Sequence, residues 1–287
     1  MGSNLVRMNI FNNTLDDYTF KLKVNHSNSS NGVLAKAMYT VDGVSYLIKT
    51  GEFTRPKFSN IEPVTEAICS EIINLLGIEC AEYSIREINI EGTEYWKSQK
   101  VLCSFSKNFL SENETIISAS KLLKIKSKRA TYDSLVKTFD KLDVNNMLVV
   151  DYIIGNSDRH LKNFGYVFNT ETGRNRFTPL YDHGFCLGQD LDSDYLESES
   201  DDFSCVYEEC DYAKCCEVTN LAQLSHVDFT TVNLNIDVNS MLDVVDKYKG
   251  YISSYRLEFM KYLLERRMSY ARKVFSKNEG IYFRRNN

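Results

Sequence analysis

GNSDRHLKNFGYVFNTETGRNRFTPLYDHG, residues 155–184, sets a carboxylate (Asp158), two basic groups (Arg159 and His160) and a carboxamide (Asn163) within six positions. It then runs through alternating apolar residues to a second carboxylate, Asp182. The alternation on either side of Thr172-Gly173 predicts a β-hairpin, and a hairpin brings its two ends together. Asn163 and Asp182 would then stand side by side as oxygen ligands, next to a carboxylate free to accept a proton. Mg²⁺ takes a few protein oxygens and completes its shell with phosphate and water, so one Asp and one Asn amide suit a metal carried in with a nucleotide. Asp158 is left to orient an attacking hydroxyl.

Working outward, DVNNMLVVDYII reads as a helix entering the loop, with Gly155 as its C-cap, and the chain reads as helical from about residue 113. Residues 18–50 read as a small β-meander: YTFKLKV, the polar loop NHSNSSNG, LAKAMYTV, an Asp42-Gly43 turn, and VSYLIKT. EPVTEAICSEIINLLG is a helix with Pro63 near its start, Val64, Ile68, Ile72 and Leu75 on one face, and Gly77 as its stop. Strands resume in AEYSIREI and YWKSQKVLCSF, and the segment around Val101 to Phe105 is expected to join two lobes. A surface turn with Arg159 paired to Asp158 would explain Asp-Arg-His by itself. It leaves unexplained Lys49 at the end of the apolar strand SYLIK and Glu66 on the following helix, an arrangement that holds α- and β-phosphates in kinase-type sites.

The 287 residues are 43% apolar, enough for a substantial core, and the net charge of −5 argues against wrapping nucleic acid. No window approaches a membrane span and the start carries no signal pattern, so the expected location is cytoplasmic, with no membrane partner. The eight cysteines read as reduced thiols; Cys205, Cys210, Cys215 and Cys216 cluster at intervals of four, four and none, inside what reads as an irregular helix rather than the tight turns that close the Cys-x2-4-Cys pairs of a zinc site. Between Arg176 and Lys214 there is no Lys or Arg, while Asp190, Asp192, Asp194, Glu197, Glu199, Asp201 and Asp202 all fall there. Such a segment is expected to be mobile or docked on basic groups. YRLEFMKYLLERRMSYARKVFSK reads as a packed terminal helix with Tyr255, Phe259, Tyr262, Leu263, Tyr270 and Val274 inward and a charged outer face.

Taken in order, SNSSNGVLAKA, YLIK, Glu66, GNSDRHLKN and PLYDHG resemble the HipA-like serine/threonine kinases, bacterial members of the protein-kinase-like fold; the resemblance runs from about residue 27 to 186. It implies an α+β, bilobal molecule, with residues 1–105 as a β-rich N-terminal lobe carrying one helix and 106–287 as a mainly helical C-terminal lobe. It implies Asp158 as catalytic base, Lys49 on the ATP phosphates with Glu66 as its partner, and Asn163 and Asp182 as Mg²⁺ ligands. Ser29, Ser30, Asn31 and Gly32 would form the phosphate loop, with Lys49 and His160 also facing the nucleotide. The loop holds one glycine, so its polar residues must lend N–H groups or hydroxyls, and Ser27, Ser29 and Ser30 become candidates for autophosphorylation. The implied partners are a protein substrate with a Ser or Thr acceptor and a small antitoxin-type protein. DRHLKN followed by DHG also resembles the loops of phosphoinositide-type lipid kinases, so a lipid or small-molecule acceptor stays open, as does a nucleotide-binding pseudokinase.

Overall fold

The computed structural model describes residues 19–20, 23–25, 34–52, 61–94, 96–125, 130–209, 227 and 234–285. Ser27, Ser29, Ser30, Asn31, Gly32, Cys210, Cys215 and Cys216 lie outside the described residues.

The N-terminal part is a mixed six-stranded sheet of β1 (Thr19–Phe20), β2 (Lys23–Asn25), β3 (Leu34–Val41), β4 (Val44–Thr50), β5 (Tyr83–Ile90) and β6 (Gln99–Lys107), in the order β1-β5-β6-β4-β3-β2. Asp42 and Gly43, at φ 50° and 74°, form the tight turn that the Asp-Gly pair calls for, and β3 and β4 close around it in register Val41 to Val44. The meander is only partly as expected. β2, β3 and β4 follow in order, but β1 crosses to the far edge and pairs parallel with β5, Phe20 opposite Ile90. Burial accounts for this: Phe20 completes an apolar layer with Ile48, Ile88, Ile90, Trp96, Val101, Cys103 and Phe105. Val101 to Phe105 is thus the interior of β6, and the chain leaves the sheet after Lys107.

Helix α1 (Glu62–Leu75) lies against β4, β5 and β6. Pro63 sits in its first turn, and it ends in a Schellman motif, Ile78 N–H donating to the Ile73 carbonyl (3.3 Å) and Gly77 N–H to that of Asn74 (3.0 Å). Val64, Ile68 and Ile72 are buried as expected, whereas Leu75, at the helix end, is exposed. The opposite side of α1 is also buried, because α7 (Val238–Asp246) packs on it. Glu71 fastens that contact, accepting from Tyr248 Oη (2.7 Å) and from Lys247 Nζ.

The C-terminal part contains β7 (Glu114–Ser118), α2 (Ala119–Leu122), α3 (Tyr132–Thr138), α4 (Lys141–Ile154), β8 (Gly165–Asn169), β9 (Asn175–Phe177), α5 (Ser193–Ser198), α6 (Ser204–Glu209), α7 and α8 (Ser254–Arg285). The hairpin β8–β9 forms as expected, but residues 114–118, read as helical, are a strand. The β-branched run Thr115-Ile116-Ile117 pairs with β8 as the third strand of that sheet. One large core then joins α1, α4, α7 and α8 through Ile68, Ile72, Met147, Val150, Ile153, Val244, Phe259, Leu263 and Met268.

The acidic segment is docked: α5 buries Leu196, is capped by Asp192, and packs on α8. The charged face expected of α8 is interrupted. Arg256 and Arg267 are buried and Tyr270 is exposed, because the two guanidiniums are needed as donors inside. Arg256 donates to the carbonyls of Gly188 (2.9 Å) and Leu191 (2.6 Å), and Arg267 to that of Tyr152 (2.8 Å).

Gly155 is where the last contact matters most. It is left-handed at φ 63°, and a Cβ there would lie 2.5 Å from Arg267 Nη1. Gly155→Ala should therefore cost at least about 1–2 kcal/mol, the penalty for a side chain in that conformation, read as a lowered urea midpoint.

Candidate active site

Lys49 and Ser104 are directly opposite in the β4–β6 register, and Glu66 reaches them from the second turn of α1. Lys49 Nζ donates to Glu66 Oε1 and, at 2.7 Å, to Asp182 Oδ1. Ser104 Oγ donates to the other oxygen of Glu66. Every heteroatom of the Glu66 carboxylate is thereby used within the protein, which fixes where Lys49 points. Burial works to lower the Lys49 pKa, but Asp182 and Glu66 outweigh it and hold the ammonium above its ordinary value. Burial pushes Glu66 up, against the pull of Lys49. Lys49, against the cost of burial, holds Asp182 down to about 2. Since that value lies below the ordinary carboxylate pKa of about 4, the Asp182–Lys49 pair contributes fully above that pH and is lost as pH falls toward 2.

The loop carrying Asp158 is built on the end of α4. Asn156 N–H donates to the Asp151 carbonyl (2.9 Å) and Gly155 N–H to that of Tyr152 (3.3 Å), the hydrogen-bond pair of a Schellman motif. The Asp151 side chain, wholly buried, accepts from Asn156 Nδ2 (2.9 Å) and from Arg159 Nε (3.0 Å to Oδ2) and Nη2 (3.1 Å to Oδ1). Arg159 Nη1 then donates to the carbonyls of both Asn163 (3.0 Å) and Tyr181 (2.8 Å). One guanidinium thus ties the helix to the two chain segments that carry Asn163 and Asp182. Arg159 is not a surface partner of Asp158; it is the buried post on which the loop is strung.

Asp158 itself is pinned through its backbone. Its N–H donates to Asn156 Oδ1 (3.0 Å) and its carbonyl accepts from Asn163 Nδ2 (3.1 Å). Its carboxylate is 41% exposed, with His160 Nε2 at 4.0 Å. His160 Nδ1 accepts from Lys162 N–H (3.3 Å), which directs Nε2 toward Asp158. Asn163, nearly buried, uses its amide nitrogen on the loop and so keeps Oδ1 as an acceptor. Ser157 closes the other side, its N–H and hydroxyl donating to the Phe185 carbonyl (2.9 and 3.1 Å).

Lys49 is therefore in direct contact with both Glu66 and Asp182, Asp158, His160 and Asn163 share one loop, and Arg159 joins the two groups. Asp182 Oδ1 and Asn163 Oδ1 are hard oxygen donors of the kind Mg²⁺ takes, and Lys49 is a fixed cation beside them, so the residues present fit a metal–nucleotide complex. Among the described residues no three His, Cys, Asp or Glu side chains gather into a metal site of their own. The roles of Asp151, Asn156, Ser104 and Tyr83, whose hydroxyl accepts the Asp182 N–H at 3.1 Å, were missed from the sequence. Asp151 had a signal: a lone carboxylate inside the apolar run LVVDYII.

A comparison with curated proteins returned no match. Among solved structures, the Helicobacter pylori proinflammatory kinase CtkA superposes with a TM-score of 0.66 at 16% identity, over 91% of this chain and 100% of that one. A chain of the Shewanella oneidensis MR-1 toxin–antitoxin complex of HipA, HipB and operator DNA gives a TM-score of 0.44 at 13% identity, over 86% of this chain and 67% of that one. The first establishes a shared α+β fold, an antiparallel-rich sheet followed by a helical part. The HipA-like C-terminal domain family matches residues 28–189, which span β3 to β6 of the sheet, α1, the Asp158 loop and Asp182, and the chain belongs to that family.

Proposed function

We propose that this chain is an ATP- and Mg²⁺-dependent kinase that phosphorylates Ser or Thr hydroxyls of a protein, with Asp158 as the base. The observation that carries the reading is the 2.7 Å ion pair between Lys49 of the sheet and Asp182 beyond the hairpin, made while Glu66 holds the same ammonium. It supports a single cleft with a phosphate-binding cation and a metal-binding carboxylate on the same side.

Bound Mg²⁺·ATP supplies the transferable phosphoryl group and neutralises part of its charge. Asn163 Oδ1 and the Asp182 carboxylate would hold the metal, and Lys49 would lie on the phosphates. Ser29, Ser30, Asn31 and Gly32 are proposed to complete the phosphate site. Asp158, half-exposed and fixed by its backbone, accepts the proton of the incoming hydroxyl, and His160 beside it favours the carboxylate's orientation.

Asp182→Ala should weaken Mg²⁺-dependent ATP binding by about 100-fold or more, about 2.7 kcal/mol, as titration calorimetry would read. The function itself is tested by ADP release from Mg²⁺·ATP in the presence of separated protein, lipid and small-molecule fractions of a lysate. Stimulation by the protein fraction is expected. Stimulation by the lipid or small-molecule fraction alone would move the acceptor to that class, and ATP binding with no stimulated release would favour a pseudokinase.

The partner we propose is a small antitoxin-type protein, on the strength of family membership. Co-purification of the natively expressed chain tests it: a monodisperse monomer with unrestrained activity and no toxicity on expression would remove the case.

A further inference from the structure

The connection from α1 to β5 runs beside the segment that leads into Asp182. Leu180 N–H donates to the Glu79 carbonyl (2.9 Å) and Ala81 N–H to the Leu180 carbonyl (2.8 Å), a short parallel bridge between Cys80 and Leu180. In a parallel ladder the next donor on that side is the N–H of residue 182. Here Asp182 leaves the ladder, because its φ is 64°, a left-handed conformation uncommon for any residue but glycine. Its N–H is taken instead by Tyr83 Oη at 3.1 Å, so the phenol stands where a backbone carbonyl would have been.

Tyr83 is well placed for this. Its backbone N–H donates to Ser70 Oγ of α1 (3.4 Å), and its ring lies edge-on to His183, with centroids 6.4 Å apart and planes at 81°. His183 is fully buried and, among the described residues, neither of its ring nitrogens is hydrogen-bonded, so it supplies no polar tether to Asp182. Among the described residues, the N–H bond to Tyr83 and the side-chain bond to Lys49 are the hydrogen bonds that aim the Asp182 carboxylate.

We propose that Tyr83 is a positioning residue for the metal: by accepting the Asp182 N–H it keeps that residue left-handed and its carboxylate directed at the cation. The role rests on the metal reading given under Proposed function. Without the phenol the Asp182 N–H loses that acceptor, the backbone relaxes toward a commoner φ, and the carboxylate swings off the metal while the remainder of the site stands. Tyr83→Phe removes the acceptor and keeps the ring against His183.

The test is Mn²⁺ binding, followed by the electron paramagnetic resonance of the free ion, to the full chain with a non-hydrolysable ATP analogue. Tyr83→Phe should weaken Mn²⁺ by about 5- to 30-fold, with the metal-free affinity for the analogue and the urea midpoint close to wild type. Wild-type Mn²⁺ affinity in Tyr83→Phe would overturn the role of Tyr83 alone. So would an equal loss of metal-free analogue binding, which reports a general loosening. If the wild-type chain bound no Mn²⁺ with the analogue present, the metal reading would fall and this role with it.

Discussion

Asp158→Ala is expected to lower phosphoryl transfer by about 10²–10⁴-fold while Mg²⁺·ATP affinity stays within about twofold of wild type. The separation follows from how Asp158 is held. Its backbone, bonded to Asn156 and Asn163, does the structural work of the loop, and alanine keeps that backbone. Among the described residues its carboxylate makes no bond that the loop depends on, and it is 41% exposed, with His160 Nε2 at 4.0 Å. The lost interaction is thus made with the acceptor hydroxyl during transfer, and it shows in kcat rather than in nucleotide binding. Single-turnover transfer and calorimetry on the same preparation measure both. A variant that lost binding and transfer in equal proportion would place Asp158 in the nucleotide site instead.

Arg159→Met should destabilise the fold by about 3–5 kcal/mol, the cost of leaving one member of a buried ion pair without the other. Asp151 would retain Asn156 Nδ2 as a donor, but its carboxylate is wholly enclosed, and the carbonyls of Asn163 and Tyr181 would lose their shared donor. Burial already raises the Asp151 pKa despite Arg159, and without the guanidinium it must rise further. A carboxylate whose folded pKa is raised destabilises above its unfolded value of about 4 and is relieved as pH falls, so the deficit should shrink from pH 7 toward pH 4. Adding Asp151→Leu should recover part of the stability by removing the orphaned charge. It should not restore transfer, because Asn163 and Tyr181 stay untied. Urea denaturation across pH measures each term; a single variant as stable as wild type would show that the pair is not the support described above.

Those two residues also show what local sequence can and cannot convey. The Asp42-Gly43 turn, the Gly155 cap, the start and stop of α1 and the hairpin after Asn163 were legible because each is decided by a few adjacent side chains. Lys49, Glu66 and Asp182 could be named as a set, and the structure brings them into contact. Arg159 was given no partner beyond a surface turn with Asp158 that the rest of the pattern argued against; its true partner is eight residues back on a helix, where a charge in an apolar run signals burial without saying with what. Ser104 and Tyr83 left no trace, because a serine and a tyrosine in strands are ordinary until the sheet sets them against Glu66 and Asp182. The placement of β1, the strand at 114–118 and the inward arginines of α8 share that cause. Each is settled by what lies across the fold, not by what lies beside it in the chain.

The measurement that bears most directly on the proposed chemistry is phosphoamino-acid analysis after incubating the chain with γ-labelled ATP, Mg²⁺ and a cell lysate, wild type beside Asp158→Ala. Label should appear in protein as phosphoserine or phosphothreonine with the wild-type chain and fall to background with the variant. Label carried into lipid or small molecules, or present on protein to the same extent in both, would contradict a protein kinase with Asp158 as its base.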